Sequence, residues 1–234
     1  MKTIGIIGGM SWESSIEYYR IINVVTRDKL GGLHSAKSVM VSVDFAPVEE
    51  MQKNNQWDEA TDVMVNTAKQ VASGGADFII IATNTMHKMY EAVKRAVNIP
   101  ILHIADATAF RIKEQNIHTI GLLGTISTME MDFYKGRLTD KFDLNVCVPE
   151  KKDRIIIDKI IYHELVLGKI KQESRNEYIR IMENLVKKGA EGIILGCTEI
   201  SLLVGANDIS VPVFDTTDIH AKTAVEIALG EKNL

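Results

Sequence analysis

The chain alternates short apolar runs, which end in glycine or small polar residues, with longer segments of helical periodicity. Ile4 to Ile7 followed by Gly8-Gly9 predicts a buried strand that breaks into a glycine turn. Apolar side chains then recur at helical spacing, which predicts a helix over residues 11–30. Strand, turn and helix in this order are the first unit of a parallel α/β fold. The same patterns predict strands at residues 38–43, 78–82 and 98–103 and helices at residues 48–73 and 86–97.

The second half of the chain repeats this order. Ile120 lies 116 residues after Ile4, Cys197 lies 114 residues after Thr83, and Pro212 lies 112 residues after Pro100. A Gly-Ala-acid motif precedes both third strands, which apolar runs alone would not explain. We therefore predict an internal duplication, with a first α/β domain of residues 1–107 plus 216–234 and a second of residues 108–215. Within the second copy, strands are predicted at residues 119–125, 144–148, 193–196 and 210–215, and helices at residues 129–139, 152–170, 174–188 and up to 229.

Composition and charge narrow the function classes. Hydrophobic residues make up 46% of the chain and charged residues 25%, as in an ordinary globular protein. The net charge of −4 and the scattered Lys and Arg residues argue against an electrostatic nucleic-acid binder. No long apolar run occurs, so no membrane partner is expected. The N-terminus lacks signal-peptide features, and two cysteines in different contexts favour a reduced, cytoplasmic setting.

Motifs for metals and nucleotides are missing or incomplete. Neither Cys-x-x-Cys nor His-Glu-x-x-His occurs, so spacing predicts no metal site. The glycine turn has Gly5, Gly8 and Gly9, but Trp12 stands where the dinucleotide fingerprint needs a third glycine. A nucleotide cofactor is not expected.

The ends of the third strands hold the candidate chemistry. Parallel sheets bind ligands beyond the carboxyl ends of their strands. These ends are residues 83–85, the Thr83 tip, and residues 197–199, the Cys197 tip. Two facing halves would bring both tips to one cleft, which suits a proton that leaves one face of a carbon and returns on the other. A thiol has an ordinary pKa of about 8.5, and a helix starting just after Cys197 would lower it. Cys147, inside an apolar strand, fits a buried core residue instead.

Several motifs resemble the aspartate/glutamate racemase family. They are Ile-Gly-x-x-Gly-Gly-Met at residues 4–10, Asn84-Thr85 with His87, Gly-Leu-Leu-Gly-Thr at residues 121–125 with Thr128-Met129, and Leu-Gly-Cys-Thr-Glu at residues 195–199. The resemblance implies two pseudo-symmetric three-layer α/β domains with parallel sheets and an active site in the interdomain cleft. It also implies a cofactor-independent racemase of acidic amino acids, independent of pyridoxal phosphate and commonly a homodimer.

One departure from the family pattern is informative. The family usually has a cysteine at each strand tip, whereas here the first is Thr83. By resemblance, Cys197 would deprotonate L-aspartate or L-glutamate, and Thr83 or water held by it would serve the opposite face. This pattern is similar to the L-specific branch of the family. The expected substrate-binding residues are Met10, Gln52, Asn84, Thr85, Thr125, Thr128, Thr198 and Glu199.

Some assignments stay open at this point. The choice between aspartate and glutamate is one, because the arginine and lysine that some aspartate racemases use are absent around residues 48–52 and 160–166. His87 either orients the site or packs in the core. The alternative functions are a single-cysteine decarboxylase or isomerase of the same superfamily, and a protein that binds an acidic amino acid without turnover.

Overall fold

The computed structural model describes all 234 residues as two compact units. The first comprises Met1–Ile104 with His220–Leu234, and the second comprises Ala105–Ile219. The predicted domain limits, 107/108 and 215/216, lie a few residues from these divisions. No helix is long and apolar enough to cross a membrane.

Each unit consists of a parallel sheet with helices between its strands. The first unit contains β1 Ile4–Gly8, α1 Trp12–Leu30, β2 Ser38–Ser42, α2 Phe45–Lys53, α3 Trp57–Ser73, β3 Phe78–Ile81, α4 Tyr90–Ala96 and β4 Ile101–Leu102. Then follow α5 Ile104–Lys113, β5 Thr119–Gly124, α6 Ile126–Glu130, α7 Asp132–Phe142, β6 Asn145–Cys147, α8 Lys151–His163, α9 Gln172–Lys187, β7 Gly192–Gly196, β8 Val213–Asp215 and α10 Thr216–Leu229. Short 3₁₀ helices occupy Thr85–Met89, Leu165–Leu167, Ile200–Leu202 and Ala206–Asp208.

The two sheets have the same strand order, which confirms the predicted fold. The first is β2-β1-β3-β4 and the second is β6-β5-β7-β8, with all pairs parallel. The register repeats as well. Ile4 pairs with Phe78 as Ile120 pairs with Gly192, at the sequence offsets of 116 and 114. Ile101 and Val213, which are 112 residues apart, occupy the matching places on the fourth strands.

Hydrogen bonds explain why the Gly-Ala-acid motif occurs twice. Asp77 Oδ2 accepts the backbone N–H of Thr3 at 2.6 Å, and Glu191 Oε2 accepts that of Thr119 at 2.7 Å. In each unit the acid therefore ties the start of the third strand to the start of the first. The proline carbonyls are equivalent too, since Pro100 and Pro212 each accept an N–H from the neighbouring strand at 2.9 Å.

The central strands are buried along their whole length, as expected for a parallel sheet covered on both faces. Every residue of β1, β3 and β7 is buried. The edge strand β6 is partly exposed, and Cys147 at its end is half-buried, so the expectation of a buried core cysteine is wrong. The fourth strands are shorter than predicted, because the residues at and before Pro100 and Pro212 lie outside β4 and β8.

Candidate active site

The Thr83 tip lies where β3 leaves the first sheet. Ala82 N–H donates to the Ile7 carbonyl at 2.9 Å, so the contact with β1 continues to the residue before Thr83. The strand order reverses between β1 and β3, and ligands of open α/β sheets bind beyond the strand ends at such a switch point. Thr83 is 9% exposed, and Asn84 and Thr85 are buried.

Predicted residues from two other elements join this tip. The glycine turn after β1 has Gly9 at φ 92°, and the Gly9 N–H donates to Ser15 Oγ at 2.7 Å. Met10 follows this turn and is buried. Gln52, on α2, donates from Nε2 to Met86 Sδ at 3.2 Å and therefore contacts the residue directly after the Thr83 tip.

The Cys197 tip contains a hydrogen-bonded acid. The Cys197 thiol donates to Glu199 Oε2 at 3.0 Å, and the Thr198 hydroxyl donates to the same oxygen at 2.7 Å. Glu199 is 4% exposed, so its carboxylate accepts hydrogen bonds from these two side chains rather than from water. Cys197 itself is 9% exposed, the same fraction as Thr83. The tip thus presents a thiol whose proton already has an acceptor.

The pKa of Cys197 moves in the opposite direction to the prediction. Burial raises the pKa of this thiol well above its ordinary value, and the Glu199 carboxylate raises it further. The expected α-helix after Cys197 is absent; only the three-residue 3₁₀ helix Ile200–Leu202 follows. No α-helix dipole therefore offsets the charge of the Glu199 carboxylate. Cys197 therefore rests as a thiol.

Two threonines and an aspartate lie at the end of β5, beside β7. Thr125 caps α6 by accepting the Thr128 N–H at 3.3 Å, and the two hydroxyls are 3.1 Å apart. Thr128 is fully buried, so its hydroxyl would act on a ligand only through Thr125. Asp158 Oδ1 accepts the Ile126 N–H at 2.8 Å, and its charge also raises the pKa of Cys197.

Three buried histidines lie close together in the first unit. The rings of His87 and His103 are 4.4 Å apart, and those of His87 and His220 are 6.0 Å apart. No group of three or more His, Cys, Asp or Glu side chains is arranged to hold a metal ion. His220 accepts or donates at both nitrogens, with Tyr18 Oη at 2.9 Å and the Leu102 carbonyl at 3.1 Å.

The first unit thus holds Met10, Gln52, Thr83, Asn84 and Thr85 at one sheet edge, and the second holds Thr125, Thr128, Cys197, Thr198 and Glu199 at the equivalent edge. Sequence reasoning missed Asp158 and Ser14. The signal for Asp158 was available: it is an acid directly after three isoleucines in α8. Ser14 gave none.

Comparison with known proteins identifies the family. Residues 7–224 match the Asp/Glu/hydantoin racemase family. The chain belongs to this family. It is an amino-acid racemase, an isomerase, and the predicted relationship is confirmed.

Individual relatives agree with this assignment. A candidate Asp/Glu racemase from Yersinia pestis has a crystal structure with a TM-score of 0.92 and 52% identity, covering 98% of this racemase and 100% of that chain. An aspartate racemase homologue from Pyrococcus horikoshii gives a TM-score of 0.85 at 35% identity, with coverage of 98% and 100%. The broad-specificity amino-acid racemase RacX of Bacillus subtilis is 24% identical over 179 residues, 74% of each chain.

Proposed function

We propose that this protein racemises L-aspartate, L-glutamate or both without a cofactor, and that it works faster from the L-enantiomer. The single observation that supports the asymmetry is the difference between the tips. The Cys197 thiol donates to the Glu199 carboxylate at 3.0 Å, whereas Thr83 lies in a tip with no acid. One tip therefore has a proton acceptor and the other has only hydroxyl and amide groups.

The proposed proton path begins at Cys197. The thiol passes its proton to Glu199 Oε2, and the resulting thiolate removes the α-proton of the L-amino acid, which leaves an enediolate and a neutral thiol. Glu199 then holds one proton more than at rest and returns it to solvent. Because burial and Glu199 raise the pKa of Cys197, the thiolate is scarce at neutral pH and forms only transiently. Glu199 is thus assigned to proton transfer rather than to substrate binding alone.

Thr83, or water that it holds, is proposed to complete the reaction on the opposite face. It donates a proton to the enediolate, which yields the D-enantiomer, and water restores the lost proton. The reverse reaction requires a base at this face, and a threonine alkoxide is far less accessible than a thiolate. The D-to-L direction is therefore expected to be slow.

Hydroxyl and amide groups are proposed to bind the substrate. The candidates are the side chains of Gln52, Asn84, Thr85, Thr125, Thr198 and, through Thr125, Thr128, together with the backbone amide of Met10. Backbone N–H groups near the tips would stabilise the developing negative charge on the α-carboxylate, as donors in an oxyanion hole do. The acidic surroundings of Cys197, with Glu199 and Asp158, would attract the α-ammonium group of the substrate.

The decarboxylase and the non-catalytic binder are less favoured, because the matched family and the Bacillus subtilis relative RacX are racemases. The test is incubation of the purified protein with L-aspartate or L-glutamate in D₂O. We expect deuterium at Cα by ¹H NMR and D-enantiomer by chiral chromatography. Cys197→Ser should reduce both at least about 100-fold, while Cys147→Ser should leave both unchanged. No exchange with either acid would refute the proposal, and loss of CO₂ from a malonate would favour the decarboxylase.

We also propose a homodimer in a reducing, cytoplasmic setting. The family resemblance suggests the dimer, and α1 exposes Trp12, Ile16 and Tyr19 on one face at a spacing of four and three residues. Both cysteines are free thiols. Light scattering should give twice the chain mass, and Ile16→Glu should shift it toward the monomer. A monomeric wild-type protein at assay concentration would contradict this proposal.

A further inference from the structure

We infer that His87 is a positioning residue for the Thr83 face of the reaction. This inference rests on the proposed function, and it concerns a histidine that sequence reasoning left open between orientation and packing. His87 lies four residues after Thr83, and its Nδ1 is 2.8 Å from the Thr83 carbonyl oxygen. This contact is to the backbone of the residue whose hydroxyl is proposed to deliver the proton.

The second ring nitrogen fixes the protonation state of His87. The backbone N–H of Ile104, at the start of α5, donates to Nε2 at 3.1 Å. An N–H can only donate, so Nε2 must present its lone pair. Nδ1 therefore has the proton and donates it to the Thr83 carbonyl. An imidazolium would have no acceptor for Ile104, so this arrangement requires the neutral ring.

Packing leaves the His87 ring little freedom. The residue is 2% exposed, and its ring lies 4.4 Å from that of His103, which in turn is 4.7 Å from Tyr90. A ring held by two hydrogen bonds and an aromatic neighbour keeps a single orientation. The Thr83 carbonyl is thereby held toward the interior, and the direction of its side chain follows from the fixed backbone.

A second hydrogen bond holds the preceding residue. The Ser14 hydroxyl, in the first turn of α1, donates to the Ala82 carbonyl at 3.2 Å. Consecutive carbonyls of Ala82 and Thr83 are thus fixed by side chains from different elements. Neither donor touches the Thr83 hydroxyl in these contacts, so both act on its position rather than on its chemistry.

The Cys197 tip is supported differently. Ser201 lies 114 residues after His87 and so occupies the equivalent position. Its hydroxyl donates to the Thr198 carbonyl at 3.3 Å, whereas the Cys197 carbonyl accepts the backbone N–H of Ile200 at 3.1 Å. An imidazole therefore supports only the tip with the threonine. A weak proton donor gains most from exact placement, since misplacement of a reacting group by about 1 Å can cost about 100-fold.

Two substitutions separate the two nitrogens of His87. His87→Asn puts an amide nitrogen near the Nδ1 position and can still donate to Thr83, while His87→Gln places its amide near the Nε2 position. Exchange of L-substrate in D₂O that returns to the L form needs only the Cys197 face, whereas racemisation needs both faces. The ratio of racemisation to exchange therefore isolates the Thr83 step.

We expect His87→Gln to lower this ratio about tenfold or more, and His87→Asn to stay within about threefold of wild type. Ser14→Ala removes the hydroxyl that donates to the Ala82 carbonyl, so it should also lower the ratio. Equal racemisation-to-exchange ratios in wild type, His87→Gln and Ser14→Ala would overturn the inference. It would also be overturned if His87→Asn and His87→Gln lost racemisation and exchange activity equally, with the ratio unchanged.

A measurement on the unmodified protein covers the case in which a variant fails to fold. Long-range ¹H–¹⁵N spectra should show His87 as the neutral tautomer with the proton on Nδ1, and a proton on Nε2 would overturn the inference. Failure of the proposed function itself would be distinct, because the wild-type protein would then show neither exchange nor racemisation while the spectrum still reported the tautomer.

Discussion

Glu199 occupies in the second unit the position that Thr85 occupies in the first, 114 residues earlier. Each lies two residues after the side chain proposed to face the substrate. Glu199 accepts the thiol proton of Cys197 at 3.0 Å, while Thr85 brings only a hydroxyl. The two tips thus differ at all three paired positions, and the differences at the first and third positions support the proposed base at Cys197 and neutral donor at Thr83.

Restoring a thiol at the first tip should add activity in the other direction. Thr83→Cys places a group with an ordinary pKa of about 8.5 where the hydroxyl stands. We expect the D-to-L rate, measured by chiral chromatography, to rise about tenfold or more. The matched control is Thr83→Ser, which keeps a hydroxyl and should not raise it. A Thr83→Cys rate no higher than that of Thr83→Ser would contradict the proposed role of this position.

Removing the carboxylate of Glu199 should separate thiol ionisation from turnover. Since the Glu199 charge is one of the causes that raise the pKa of Cys197, Glu199→Gln should lower that pKa toward its ordinary value. The ultraviolet absorbance of the thiolate, followed in a Cys147→Ser background, should titrate at lower pH. Turnover should nevertheless fall about tenfold or more, because an amide cannot accept the thiol proton. Unchanged turnover would remove Glu199 from the proton path.

The pH dependence of exchange follows from the destination of the thiol proton. In the proposed path this proton moves from Cys197 to Glu199, so forming the reactive thiolate changes no proton count of the pair and does not depend on pH while Cys197 rests as a thiol. We therefore expect L-exchange by the wild-type protein to change less than about threefold between pH 7 and about 8.5. Glu199→Gln must instead release the thiol proton to solvent, so its exchange should increase with pH by up to about tenfold per pH unit. A wild-type rate that increases as steeply as that of Glu199→Gln would show that Glu199 does not accept the proton.

Asp106 should contribute to the loss of folded-state stability at low pH. Burial acts to raise its pKa, but Arg137 at 2.5 Å and Lys141 at 2.6 Å outweigh it and hold the pKa of Asp106 below its usual range. A depressed carboxyl pKa stabilises the folded state above the unfolded value of about 3.9, and this stabilisation is lost as pH falls through the folded pKa.

Asp106→Asn should therefore lower the free energy of unfolding at pH 7 by about 1–2 kcal/mol, less than for a fully buried pair because Lys141 is half exposed. The difference from wild type should shrink below about pH 4. Glu17→Gln breaks an exposed pair with Arg20 and should cost little at either pH. An equal cost for Asp106→Asn at pH 7 and pH 3 in urea titrations would exclude this linkage.

Close approach of β5 and β7 should make Gly196 intolerant of a side chain. A Cβ there would lie 2.6 Å from the Leu123 carbonyl oxygen, which is backbone and cannot move away cheaply. Gly196→Ala should cost about 2 kcal/mol or more in urea titrations. Gly136→Ala, inside α7 and with its nearest contact at 3.4 Å, should instead stabilise by about 0.5–1 kcal/mol. Similar effects of both substitutions would contradict this packing argument.

Much of the fold could be predicted because strand ends and repeats are local signals. Glycine and proline mark the limits of β1 and β4, and the offsets between the copies match the observed register. Most of the candidate site residues could be proposed for the same reason, since they lie just beyond the end of a strand. Nothing in the sequence around residue 200 distinguishes a 3₁₀ turn from an α-helix, so the predicted effect of a helix on Cys197 was wrong.

Contacts between distant residues could not be read in this way. The bond between Ser14 and Ala82 joins residues 68 positions apart, and that between Ile126 and Asp158 joins residues 32 apart. These hydrogen bonds depend on how the helices pack against each sheet, which the local sequence does not determine. The direction of the Cys197 pKa shift is of the same kind, because it depends on which Glu199 oxygen reaches the thiol and on how little water remains.

The repeated register also shows where the two units differ in length. The paired residues of the first and third strands are 74 positions apart in one unit and 72 in the other. This difference of two residues lies in the helical connections, and the strand pairing is the same in both units. For protein engineering, those connections are the segments in which inserted residues should be tolerated, and the tips are modules that could be exchanged between the halves.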